Sequence, residues 1–126
     1  MDCLFCKIVA GEIPAARIFE DETVLAFADV NPQAPVHLLI VPKKHVESLD
    51  GLESDEDGEL LAGRMHAVAA QLARTRGLAN GYRTVINTGR DGGQTVGHLH
   101  IHLLGGRAMH WPPGWPYVSV SAWKVP

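Results

Sequence analysis

The segment GHLHIHLLG, residues 97–105, restricts the fold more than any other stretch of this chain. Three of the seven histidines stand at 98, 100 and 102, and Leu99, Ile101 and Leu103 alternate with them. Side chains of an extended strand alternate between its two faces with a period of two. One face of a strand here would therefore carry three imidazoles and the other three aliphatic groups, whereas a helix would scatter both sets around its axis. The segment predicts a strand whose apolar side packs on a core and whose other side carries chemistry.

Such a strand needs a sheet, and the rest of the chain supplies one. ARIFE (16–20), VLAFADV (24–30) and VHLLIVP (36–42) read as strands, the first two separated by a turn at Asp21–Glu22 and the last two by the proline-broken loop NPQAP (31–35). NGYRTVIN (80–87) reads as a turn plus strand. LFCKIVAGEIP (4–14) reads as a short helix closed by Gly11 and Pro14. A long helix is expected from near Ser54, with Ser54 and Asp57 as its capping pair. Leu61, Met65, Val68 and Leu72 form its apolar stripe, and Gly77 follows its end. The expectation is an α+β domain: a mainly antiparallel, five-stranded sheet with one long and one short helix.

At 126 residues the chain is one domain by length. A net charge of −3, with an acidic run over DGLESDEDGE (50–59), argues against a polyanion-binding surface, so no nucleic-acid partner is expected. No apolar stretch approaches the ~18 residues of a membrane span. The opening MDCLFCKIVAGEIPA has no cleavable hydrophobic run. Two cysteines three residues apart are no secretory disulfide framework. A cytoplasmic location is the default these features suggest.

Alternating imidazoles admit three readings. They can form an exposed polar face, ligate an ion, or work on phosphorus, since neutral imidazole is a competent nucleophile near neutral pH. The preceding loop TGRDGGQT (88–95) favours the last, because glycines and a run of backbone N–H groups suit an anion. Cys3 and Cys6 form a C-x-x-C pair that can be redox-active, metal-binding or incidental. A thioredoxin-like role is disfavoured because the pair opens the chain and does not follow a strand.

The His-φ-His-φ-His-φ-φ pattern of HLHIHLL resembles that of the histidine triad superfamily. FEDE (19–22), FADVNPQAPVHLLIVPKKH (27–45) and NTGRDGGQTVGHLHIHLLGGRAMHWPPG (87–114) are similar to its Hint branch, the histidine triad nucleotide-binding proteins. The similarity spans residues 3–114, which sets a domain at 1–114 and a tail at 115–126. It implies the histidine triad fold and a homodimer. It also implies hydrolysis of purine nucleoside 5′-phosphoramidates or acyl-adenylates through a nucleotidyl-histidine intermediate, with no catalytic cofactor.

By the same resemblance His100 is the nucleophile, and His98, His102 and the additional His37 support it. His102, Asn87, Thr95 and the Gln94–Val96 backbone hold phosphate oxygens, Asp29 binds the ribose hydroxyls, and Phe5, Ile8, Ile13, Phe27 and Val30 sandwich the base. Several bacterial relatives with the cysteine pair bind a structural zinc, whose ligands here would be Cys3, Cys6, His45 and His98. The alternatives are a nucleotide-binding regulator with residual hydrolysis, or a triad-centred metallohydrolase. Three departures stand out: Thr95 replaces a common Ser, Gly97 a frequent aromatic, and the tail runs past HWPPG. Trp111, Trp115, Tyr117 and Trp123 in that region either shape leaving-group specificity or simply pack.

Overall fold

The computed structural model describes residues 2–114; Trp115, Tyr117 and Trp123 lie outside them. In chain order the elements are α1 (Leu4–Val9), β1 (Arg17–Glu20), β2 (Val24–Ala28), β3 (Val36–Pro42), a 3₁₀ turn (Leu49–Gly51), α2 (Glu56–Thr75), β4 (Tyr82–Val85) and β5 (Ile101–Gly105). The strands form one antiparallel sheet in the order β1-β2-β3-β5-β4. The expected architecture holds.

β3 is central, so the near-continuous apolar run of VHLLIVP is buried on both faces. Leu38 and Ile40 join Val24 and Ala26 of β2, Leu99, Ile101 and Leu103, and Met65, Val68, Ala69 and Leu72 of α2 in the main core. Leu39 and Val41 face the other way, with Leu25, Phe27, Phe5 and Ile8. Each Leu- or Val-sized side chain withdrawn from water contributes roughly 1.5–3 kcal/mol, so the α2 side carries most of the cohesion.

Two boundaries differ from expectation. The α2 cap is Asp55, whose carboxylate accepts from the Gly58 N–H at 2.9 Å, in place of the Ser54–Asp57 pair. Gly58 belongs there: a Cβ would sit 1.8 Å from the Glu53 carbonyl oxygen. The second difference lies in the histidine segment. The ladder begins only at Ile101, so His98 and His100 precede β5 and only His102 lies within it. The alternation survives nonetheless, because Leu99 N–H bonds to the Val46 carbonyl at 2.7 Å and keeps the segment extended against the core.

Candidate active site and metal centre

The burial of the imidazoles decides their chemistry. His98, His100 and His37 are buried, and each ring nitrogen with a backbone partner has a determined role. His98 Nε2 donates to the Pro42 carbonyl at 2.8 Å, which leaves Nδ1 as its lone-pair nitrogen. His100 Nδ1 donates to the His98 carbonyl at 2.7 Å, which leaves Nε2 with the lone pair. Adjacent histidines thus present opposite nitrogens because each faces a different backbone carbonyl.

A second chain of bonds sets His102. The Gln33 N–H donates to His37 Nδ1 at 3.0 Å, so neutral His37 carries its proton on Nε2. That N–H lies 2.9 Å from His102 Nδ1 and 3.3 Å from the Asp29 carboxylate. His102 Nδ1 accepts, and the His102 proton resides on Nε2. Burial pushes the His102 pKa down to about 4, aided by His100 and His37 and opposed by Asp29. Burial likewise lowers His37, against the pull of Asp29. Asp29, His37 and His102 are close enough to suggest a metal triad. The Gln33 amide argues otherwise, because it puts a proton on the nitrogen that would have to ligate. The group is a hydrogen-bonded clamp that delivers an N–H at His102 beside a lone pair at His100.

Both rings line a cleft of about 290 Å³ between α1, β2 and the loop before the triad. Phe5, Ile8, Ile13, Phe27, Asp29, Val30, Thr95 and Val96 line it as well, so most of the residues matched to base, ribose and phosphate converge on one space. Phe5 stands edge-on to His100, with ring centroids 5.1 Å apart, and to Phe27 at 5.4 Å. Asp29 also accepts the Asn31 N–H at 2.8 Å. Two predicted residues fall elsewhere. Gln94 braces the glycine loop, its carboxamide donating to the Glu47 and Val96 carbonyls and accepting from Gly89. Asn87 lines a separate cleft of about 720 Å³ with Arg83, Leu104 and Arg107. The sequence carried no signal for the Gln33 amide, since every residue but proline has one.

Cys3, Cys6, His45 and His98 also converge, with their donor atoms all within 4.8 Å of one another. His45 Nδ1 lies 3.2 Å from His98 Nδ1, and Cys6 Sγ lies 3.3 Å from His45 Nδ1 and 3.6 Å from His98 Nδ1. Cys3 Sγ lies 3.4 Å from His98 Nδ1. Bond lengths to a tetrahedral zinc of ~2.3 Å for sulfur and ~2.0–2.1 Å for nitrogen imply donor separations of about 3.3–3.6 Å for such pairs. The donors therefore fit that ion, and the His98–Pro42 bond presents the right nitrogen to it.

The HIT domain family model matches residues 10–109. A 14 kDa zinc-binding protein of Zea mays is 51% identical over 112 residues, which are 88% of this chain and 87% of that protein. An adenylylsulfatase of Arabidopsis thaliana is 48% identical over 112 residues, 88% of this chain and 76% of that protein. Among solved structures, a HIT family hydrolase from Legionella pneumophila superposes with a TM-score of 0.85 at 52% identity, covering 90% of this chain and 100% of the other.

Proposed function

The chain belongs to the HIT domain family, and on that footing we propose that it is a hydrolase of purine nucleoside 5′-phosphoramidates or acyl-adenylates. The observation that carries this reading is the His100 Nδ1–H bond to the His98 carbonyl, which leaves a lone pair on Nε2 of a ring lining the 290 Å³ cleft. His100 Nε2 attacks the α-phosphorus, and the leaving group departs with the electron pair of its bond to phosphorus, an amine then taking a proton from water. Water breaks the phosphorus–His100 bond in the second step and releases the nucleoside monophosphate. Dividing the displacement gives two lower barriers in place of one. His102 Nε2–H donates to a phosphate oxygen, an interaction that strengthens as charge builds. Phe5, Ile8 and Phe27 hold the base and Asp29 the ribose.

A structural zinc at Cys3, Cys6, His45 and His98 accompanies this reading; bound there it cross-links α1 to the sheet. The fit of the four donors and the zinc-binding relative support it. Residues 1–114 form the working domain. The outer edge of β4 is unpaired among the described residues, which suits pairing with a second copy.

Quenching the protein during turnover and mapping adducts by mass spectrometry tests the mechanism. A nucleotidyl group on His100 is the expected result. His100→Ala should lower kcat by about 10³-fold or more while nucleotide affinity survives. An active His100→Ala protein sinks the mechanism. A burst of one turnover followed by negligible cycling would instead favour the regulatory reading.

A further inference from the structure

The cleft that holds Asn87 has not yet been given a role. Its volume is about 720 Å³, and Arg83, Arg107, Gln33 and His110 contribute its polar lining. No carboxylate lines it among the described residues, and neither Arg83 nor Arg107 forms an ion pair there. Both guanidinium groups are nevertheless held in place. Arg83 Nη2 donates to the His110 carbonyl at 2.9 Å. Arg107 donates through Nε to the Gln33 carbonyl and through Nη1 to the Ala108 carbonyl, each at 3.0 Å. Arg83 Nη1 and Nε and Arg107 Nη2 have no partner among the described residues, so fixed positive charge and spare N–H donors face a polar space.

The position of this cleft relative to the nucleophile is set by the sheet. Val85 of β4 pairs with His102 of β5, and Arg83 pairs with Leu104. Residues His100, His102 and Leu104 follow one another along one face, so the cleft begins directly beyond His102 as seen from His100. Displacement at phosphorus places the departing atom opposite the attacking one. A leaving group expelled by His100 across a phosphate held at His102 therefore moves toward Leu104, Arg83 and Arg107.

We infer that the Arg83–Arg107 cleft is the leaving-group site and that it favours groups departing as oxyanions, such as a sulfate or a carboxylate, over neutral amines. The inference rests on the nucleotidyl-transfer reading and names the substrate class for it. In the first step the P–O bond to the leaving oxyacid breaks, its electron pair stays on that oxygen, and the two guanidinium groups stabilise the charge with no proton required. Arg83 and Arg107 act as specificity-determining residues.

The test compares two substrates that share the adenylyl half: adenosine 5′-phosphosulfate and an adenosine 5′-phosphoramidate of a neutral alkylamine. In Arg83→Gln and Arg107→Gln, kcat/KM for the phosphosulfate should fall about 10- to 100-fold, the worth of a charge-assisted hydrogen bond. The phosphoramidate should change less than about 3-fold, and the Lys variants should recover part of the phosphosulfate rate. Equal losses on both substrates would make the arginines braces for residues 106–114 and overturn the inference. So would unchanged rates on both, or a wild-type protein that hydrolyses only the phosphoramidate; that last result leaves the nucleotidyl-histidine reading standing. A wild-type protein that forms no His100 adduct with either substrate removes both.

Discussion

Each imidazole in the site has its reactive nitrogen chosen by a backbone group that is invisible as a residue type. The Gln33 amide sets His37, His37 sets His102, and the His98 carbonyl sets His100. A cationic His102 would carry a proton on Nδ1 as well, facing the His37 Nε2–H, and its pKa near 4 reflects burial together with that opposition. The sign of the resulting linkage is determined. A histidine held below its ordinary 6.5 in the folded state binds fewer protons than the unfolded chain, so its contribution is complete above pH 6.5 and fades as pH falls toward 4. His37 is shifted in the same direction. Urea unfolding of wild type and His102→Gln should therefore show a stability difference that shrinks or changes sign between pH 7 and pH 5. A difference independent of pH would show that His102 titrates normally in the fold.

The elements divide into those that cohere by packing and those that need help. α2 has twenty residues, a capping carboxylate at Asp55 and a buried stripe, so it is sustained by its own sequence and by the core. Replacing Asp55 with Ala should lower stability by about 1 kcal/mol, read as a shift in the urea midpoint at unchanged m-value. α1 has only six residues, too few to persist alone in water. Cys3 caps it, Cys6 lies in its second half, and Phe5 between them reaches the rings of His98 and His100. The short helix that walls the cleft is therefore also the helix that the four-donor site fastens to the sheet.

At the scale of the whole molecule, one sheet separates two kinds of interior. The α2 side is aliphatic and continuous, while the α1 side holds the histidines, the thiols and the cleft. Removing metal from the loaded protein with a chelator should lower Tm by about 10 °C and speed amide exchange in residues 2–10 first, leaving exchange in α2 and β3 slow. A Tm and exchange pattern indifferent to the chelator would mean that the four donors hold no ion. Loss of protection throughout the chain at once would show that the two sides do not respond separately.

Much of this organisation was legible in the chain. The alternation at 98–103 revealed which residues share a face, and the apolar run of β3 revealed a strand covered on both sides, because strand periodicity and burial are local properties. The stripe Leu61–Met65–Val68–Leu72 and the glycine after it located α2 to within about two residues. Tertiary structure alone decided the cap at Asp55 over Ser54, the late start of the ladder at Ile101, the bracing of the loop by Gln94 and the placing of Asn87 beside Arg83 and Arg107. It also decided every tautomer. The reason is common to all of these: a hydrogen bond between residues far apart in sequence depends on where the chain returns, and residue types and spacing do not encode that distance.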